Sequence, residues 1–160
     1  MLKLPVRIIG FAMITLLLSC NFNANKQKSV NSMKASQILG NPDYLAISYG
    51  GYRTNSRDVQ PTISELKEDM LILEATGIRI VRTYNLQFAK ASNVVKAINE
   101  LKKENPSFEM YVMLGAWIDC KDAWTSHPNH DLEDEFNNAS EIEKAVKLAN
   151  QYPDIVKIIS

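Results

Sequence analysis

The sequence predicts an α/β fold of repeated β/α units, with four parallel strands separated by three helices. Apolar segments that favour strands begin near residues 44, 78, 110 and 155, and segments with helical spacing of apolar residues lie between them. The third strand is apolar on both faces, as strands buried in a parallel sheet are. Repetition of this kind, at steps of 32 to 45 residues, indicates a parallel sheet covered by helices.

The first strand and the first helix are clearly marked. Tyr44–Tyr49 is a short apolar strand. Thr62-Ile-Ser-Glu65 is a capping box, in which the Thr hydroxyl and the Glu carboxylate each accept a free backbone amide at a helix start. Gly77 ends the helix, since glycine is common directly after a helix C-terminus. The residues predicted to face the core are Ile63, Leu66, Met70 and Leu73.

The second unit follows directly. Ile78–Tyr84 is rich in β-branched residues and predicts a strand. Ser92 is the predicted cap of the second helix, and Asn105-Pro106 ends it. The residues predicted to form its buried face are Val94, Val95, Ile98 and Leu101.

The last predicted elements are two strands and the helix between them. Met110–Ile118 is the third strand, and Ile155–Ile159 is the fourth. Ser140-Glu-Ile-Glu143 is a second capping box and predicts the start of the third helix, which Tyr152-Pro153 closes. The side chains predicted to face inward are Ile142, Val146 and Ala149.

The N-terminal segment is predicted to be a leader and not part of the domain. Lys3 and Arg7 precede the apolar run Ile8–Leu18. That run has the size of a signal-peptide core and is too short to span a membrane as a helix. It ends at Leu17-Leu18-Ser19-Cys20, which resembles a bacterial lipobox. The alternative is an ordinary signal peptide with a chance cysteine.

We therefore predict a lipoprotein signal peptide at 1–19, lipidation at Cys20 and a flexible tether at 20–40. The tether assignment follows from a polar composition with few aromatic residues. Lipid on Cys20 would make the membrane a partner of the chain. The expected location is the bacterial cell envelope, with the protein anchored by lipid.

Charge and cysteine content exclude several classes of protein. The body of the chain, 41–160, carries 13 basic and 18 acidic residues, whereas a nucleic-acid-binding domain needs a basic face. We therefore expect no nucleic-acid partner. Two cysteines in the whole chain exclude a disulfide scaffold and a four-thiolate zinc site.

Two architectures fit repeated β/α units. A doubly wound nucleotide-binding sheet needs a glycine-rich phosphate turn after its first strand. Gly50-Gly51-Tyr52-Arg53 has neither the dinucleotide spacing nor the Lys-Ser/Thr of a P-loop. A (β/α)8 barrel needs about 250 residues, and 41–160 supplies 120. We predict the N-terminal half of such a barrel, about four β/α units, in a truncated chain.

In a barrel the site lies at the carboxyl ends of the strands. The predicted strand ends carry an aromatic and polar set that suits a sugar: Tyr49, Arg82, Tyr84, Asn85, Trp117 and Asp119. The aromatic members also fit a purely structural role, in which they close the top of the barrel.

The segment between Asp119 and Asn138 is a long acidic loop with two histidines. His127 and His130 are separated by a proline, and no helix holds them on one face, so solvated or locally hydrogen-bonded histidines are favoured over a metal site. Calcium ligation by the acids of the loop is disfavoured, because the loop lacks the glycine and the alternation of an EF-hand. We predict no metal.

Paired carboxylates perform glycoside cleavage, one as acid and the other as nucleophile or base. Asp119 is the one acid at a predicted strand end. An Asp in such a position more often caps a loop or binds a hydroxyl group than acts in catalysis. The residues by themselves therefore disfavour a catalytic role for Asp119.

Three segments, in order, resemble family 17 glycoside hydrolases, the β-1,3-glucanase family. Ala46-Ile-Ser-Tyr-Gly-Gly-Tyr52 resembles the first strand of that family. Asp69-Met-Leu-Ile-Leu together with Gly77-Ile-Arg-Ile-Val-Arg-Thr-Tyr-Asn85 resembles the first helix and the second strand. Val112-Met-Leu-Gly-Ala-Trp-Ile-Asp119 resembles the third strand.

The resemblance implies a (β/α)8 barrel that cleaves or transfers β-1,3-glucosidic bonds with retention and without a cofactor. Its general acid is a Glu in an Asn-Glu motif after the fourth strand, and its nucleophile is a Glu near the end of the seventh. Both are therefore expected beyond Ser160. By match to the family's strand ends, the expected substrate-binding residues are Tyr84, Asn85, Trp117 and Tyr49. The rival predictions are a non-catalytic glycan-binding lipoprotein and an inactive remnant.

Overall fold

The structure, a computed structural model, describes residues 33–160. The predicted signal peptide, Cys20 and the tether as far as residue 32 lie outside the described residues. Among residues 33–160, no helix is both long enough and apolar enough to cross a membrane. The elements follow one another as α1 (Ala35–Ile38), β1 (Leu45–Ser48), α2 (Ile63–Ala75), β2 (Ile78–Arg82), α3 (Lys90–Glu104), β3 (Tyr111–Leu114), β4 (Cys120–Lys121), β5 (Asn129–Glu133), α4 (Glu135–Gln151) and β6 (Val156–Ile159).

Four of the strands form one parallel sheet in the order β1-β2-β3-β6. Within this sheet, each strand lies beside the one that follows it along the chain. The two remaining strands, β4 and β5, lie between β3 and β6 in the sequence and form a separate two-stranded sheet. A doubly wound sheet reverses its strand order at a switch point, and the described sheet has no reversal. The predicted α/β class with four parallel strands is confirmed. A parallel sheet with two open edges is compatible with part of a barrel.

Helix α2 begins and packs as its sequence predicts. The Thr62 hydroxyl accepts the Glu65 amide at 3.3 Å, and the Glu65 carboxylate accepts the Thr62 amide at 2.8 Å. Gly77 follows the helix with a φ of 90°, a left-handed conformation that glycine adopts without steric cost. Leu66 and Met70 are completely buried against the sheet and α3.

Helix α3 begins earlier than predicted. It starts at Lys90, and the residue before it is Ala89. The Ser92 hydroxyl donates to the Ala89 carbonyl at 2.8 Å, so this serine bonds within the first turn and does not cap the helix. The predicted core face is confirmed, because four side chains are at most 4% exposed: Val94, Val95, Ile98 and Leu101.

Helix α4 differs from the prediction in its start and in its buried face. It begins at Glu135, where the Asp134 carboxylate accepts a backbone amide of the first turn at 3.2 Å. The predicted capping residue Ser140 therefore lies inside the helix. Ile142 and Val146, predicted to face inward, are 49% and 46% exposed. The buried face consists of Asn138, Glu141, Ala145 and Leu148.

The segment predicted to be a long loop between Asp119 and Asn138 is more ordered than expected. Strands β4 and β5 form an antiparallel hairpin within it. Helix α4 then begins before the segment ends. All residues of β5 are exposed, so the hairpin projects from the fold and contributes little to its core.

The folded part starts before residue 41. Ile38 in α1 is 1% exposed and packs with Ile80 and Tyr111. Side chains alternate along a strand, so these two residues face away from α2, α3 and α4 and towards α1. The predicted tether at 20–40 is therefore too long at its C-terminal end, because Ile38 supplies an apolar side chain to the opposite face of the sheet.

Apolar side chains remain exposed at both edges of the described sheet and on the outer faces of α2 and α4. They are Leu45, Ile47, Ile159, Leu71, Ile72, Ile142 and Val146. Edge strands and contiguous apolar surface are usually covered in stable domains. This exposure agrees with a sheet that forms part of a larger one.

Candidate functional site

A pocket of about 440 Å³ opens at the carboxyl ends of β1, β2 and β3. Its lining residues are Gly50, Tyr52, Arg57, Tyr84, Asn85, Lys90 and Trp117. Three of the four predicted substrate-binding residues thus lie together, because parallel strands present their carboxyl ends at one edge of the sheet. The rings of Tyr84 and Trp117 are 38% and 39% exposed. Both side chains are therefore partly accessible to a ligand.

Tyr49, the fourth predicted residue, lies in the core and does not line the pocket. It is 9% exposed, and its hydroxyl donates to Asp69 Oδ2 at 2.5 Å. Asp69 also pairs with Arg53 at 2.6 Å. Burial and then the hydrogen bond to Asp69 raise the pKa of Tyr49. This side chain joins the end of β1 to α2, which is the structural role that the sequence left open for aromatic residues at strand ends.

Lys90 lines the pocket but is not among the substrate-binding residues predicted from the sequence. It is 3% exposed, and its Nζ lies 4.9 Å from the ring centre of Tyr84 and 5.3 Å from that of Tyr52. Nζ also donates to the Tyr49 carbonyl at 3.4 Å. Burial and then the charge of Arg57 lower the pKa of Lys90. Within the described residues the pocket lining has no carboxylate, so the two tyrosine rings and the Tyr49 carbonyl stabilise this cation.

The ends of β2 and β3 approach each other closely at Gly115. Its amide donates to the hydroxyl of the buried Thr83 at 3.2 Å. A Cβ on Gly115 would lie 2.3 Å from the Thr83 carbonyl oxygen and 2.9 Å from backbone atoms of Tyr84. Glycine at this position therefore allows the approach that sets Tyr84 beside the loop carrying Trp117.

Glu141 joins the two loops that carry the pocket residues. Its Oε1 accepts the Leu86 amide at 2.5 Å and the Trp117 amide at 3.2 Å. The residue is 2% exposed, and its Oε2 is buried without a hydrogen-bond partner in the described structure. One side chain from α4 thus fixes the loop after β2 relative to the loop after β3.

Asp119 holds two tryptophans in place. Its Oδ1 accepts the Trp117 indole N–H at 2.9 Å, and its Oδ2 accepts the Trp124 indole N–H at 2.8 Å. The Asn138 side chain in turn bonds the Asp119 backbone N–H and carbonyl, each at 2.9 Å. Asp119 therefore positions aromatic rings.

The histidines of the hairpin segment make separate local contacts. His130 Nδ1 lies 3.4 Å from Cys120 Sγ, and His127 Nδ1 lies 2.8 Å from the Ser126 hydroxyl. Over residues 33–160, no group of three or more His, Cys, Asp or Glu side chains is arranged to hold a metal ion.

Comparison with known proteins gives one informative match. No family model matches the sequence, and no curated protein matches it. The chain is similar to the crystal structure of an endo-laminarinase from Formosa Hel1_33_131, with 64% identity and a TM-score of 0.77. The match covers 80% of this chain and 33% of that chain, so this chain spans about one third of the length of the structure it matches.

Proposed function

We propose that this chain forms part of the substrate cleft of a glycoside hydrolase or transglycosylase that acts on β-1,3-glucan. The observation that carries the proposal is the 64% identity to the matched part of an endo-laminarinase. The pocket supports it, because exposed aromatic faces stand beside hydrogen-bond donors and an amide. A sugar presents both apolar C–H faces and hydroxyl groups, and this lining can contact both.

Four of the pocket residues contact the sugar in this proposal. The ring faces of Tyr84 and Trp117 stack on glucosyl units, and the Asn85 amide both donates to and accepts from hydroxyl groups. Lys90 Nζ supplies a donor at the back of the pocket, where the Tyr52 and Tyr84 rings hold it.

The finer proposal is the N-terminal half of a (β/α)8 barrel of the family 17 type, with retention of configuration. Retaining cleavage needs two carboxyl groups about 5–5.5 Å apart. The described pocket lining contains none, which supports placing both catalytic Glu residues beyond Ser160. The sequential parallel sheet and its open edges support the barrel.

A non-catalytic glycan-binding lipoprotein remains the second candidate. The observation that favours it is the same pocket, which has groups for binding a sugar and no carboxylate among its described lining residues. Both candidates require sugar binding, and they differ in whether a longer chain hydrolyses the glucan.

Binding tests what the two candidates share. We expect the full chain to bind short β-1,3-gluco-oligosaccharides with a dissociation constant of about 1 mM, equivalent to roughly 4 kcal/mol. The Tyr84→Ala variant should lose binding detectable by ligand-observed NMR, because the central stacking face is removed. Phe136→Ala is the matched control, since this aromatic ring is 83% exposed and does not line the pocket. Equal binding by wild type and Tyr84→Ala would contradict the proposal.

Hydrolysis separates the two candidates. A chain extended beyond Ser160 to the end of the barrel should release reducing sugar from a β-1,3-glucan, whereas residues 1–160 should not. Turnover by residues 1–160 that is lost in Asp119→Asn would contradict this placement of the catalytic groups. An extended chain that binds but does not cleave would favour the glycan-binding protein.

Anchoring at Cys20 is a separate proposal that the lipobox-like Leu17-Leu18-Ser19-Cys20 supports. It places the protein in the bacterial cell envelope, attached to the membrane by lipid. Growth of a bacterial host with labelled palmitate should label the wild-type chain and leave Cys20→Ser unlabelled. Cys120→Ser is the control and should retain the label. Equal labelling of wild type and Cys20→Ser would refute the anchor.

A further inference from the structure

Trp124 combines high exposure with a fixed orientation. Its side chain is 80% exposed, yet its indole N–H donates to Asp119 Oδ2 at 2.8 Å. The turn that carries it is also bonded internally, because the Thr125 amide and hydroxyl both donate to the Asp122 carbonyl, at 3.0 and 2.9 Å. The large apolar ring is thus held in solvent by one hydrogen bond at its edge and by the internal bonds of its turn.

The ring of Trp124 continues the aromatic surface of the pocket. Its centre lies 6.2 Å from that of Trp117, with an angle of 29° between the ring planes. Trp117 lines the pocket, and Trp124 does not. Because one carboxylate, that of Asp119, bonds both indoles, the two rings are positioned together. An aromatic strip therefore leads from the pocket onto the hairpin β4–β5.

We infer that Trp124 forms an additional subsite, which stacks on a glucosyl unit of a β-1,3-glucan chain that extends out of the pocket. The inference rests on the proposed function and adds to it a preference for longer chains. A pyranose ring presents an apolar face of C–H groups, and an exposed, oriented indole offers a matching surface with little loss of side-chain entropy.

The preference for longer chains gives the test. The full chain is titrated with β-1,3-gluco-oligosaccharides of increasing length, and dissociation constants are measured by NMR. For the wild type, affinity should rise with length until the oligosaccharide reaches Trp124. Trp124→Ala should bind the shortest oligosaccharides as the wild type does and lose about tenfold for the longest, a change of roughly 1.4 kcal/mol. Trp124→Phe retains a ring and should keep part of the gain.

Phe136→Ala again serves as the matched control, because it removes another exposed aromatic ring of the same region. It should keep the full length dependence. If Trp124→Ala retains the length dependence while Tyr84→Ala still abolishes binding, the subsite is refuted and the proposed function stands. If the wild type binds no β-1,3-gluco-oligosaccharide of any length, both fail together.

Discussion

Replacing Glu141 with leucine is expected to lower the free energy of unfolding by about 2–4 kcal/mol and to abolish oligosaccharide binding. The substitution keeps the approximate volume but leaves the amides of Leu86 and Trp117 without their acceptor. A buried donor left unpaired costs about 1–3 kcal/mol, and both of these amide hydrogen bonds are partly buried. The free-energy cost of two unpaired amides is therefore larger than the free energy gained by removing the Glu141 carboxylate, one oxygen of which is buried without a partner.

Urea unfolding and amide hydrogen exchange measure the two parts of this effect. Exchange at Leu86 and Trp117 should accelerate in Glu141→Leu, because those amides lose their only described acceptor. Glu141→Gln keeps a carbonyl oxygen at the bonding position and should restore most of the protection and the binding. Glu143→Leu, on the exposed side of the same helix, is the matched control and should change neither. Unchanged protection in Glu141→Leu would show that the two loops hold their positions without it.

The elements that sequence predicts well are those whose signals are local. The Thr62 capping box and Gly77 act within a few residues of α2, and both are found as predicted. Apolar spacing also predicts the buried face of α3, because every buried position after Lys90 is hydrophobic. Such signals need no knowledge of what lies across the fold.

Helix α4 shows where this reasoning fails. Apolar spacing predicts that Ile142 and Val146 are buried, whereas the buried face of the helix includes Asn138 and Glu141. Those two polar side chains are buried because they bond the backbone of loops that lie far away along the chain. Their partners become visible only when the loops are placed, so a rule based on hydrophobicity assigns the wrong face.

The position of a residue at a strand end predicts part of the candidate site, but it does not predict the direction of the side chain. Strand ends of a parallel sheet converge, so Tyr84, Asn85 and Trp117 could be grouped from their positions alone. Position does not reveal which way a side chain at a strand end points, and Tyr49 bonds Asp69 in the core. No local sequence pattern predicts Lys90 as a pocket residue either, because it is the first residue of α3 and does not lie at a strand end.

Gly115→Ala is expected to destabilise the chain by about 3 kcal/mol or more, beyond the usual range for overpacking. The added Cβ would lie 2.3 Å from the Thr83 carbonyl oxygen, a distance that no rotamer change can relieve because the neighbour is backbone. The ends of β2 and β3 must separate, and the bond from the Gly115 amide to Thr83 must lengthen. Tyr84 directly follows Thr83 in the chain, so it would move together with the end of β2.

The matched control for the stability effect of Gly115→Ala is Gly50→Ala. A Cβ on Gly50 would meet nothing closer than 3.8 Å, an ordinary van der Waals contact with the Tyr52 ring. Urea unfolding should therefore give a large loss for Gly115→Ala and a change within about 0.5 kcal/mol for Gly50→Ala. Gly115→Ala should also lose oligosaccharide binding under conditions where it remains folded, since the face of Tyr84 is displaced from that of Trp117. A Gly115→Ala variant with wild-type stability and affinity would mean that the strand ends are not in the close contact from which the pocket is built.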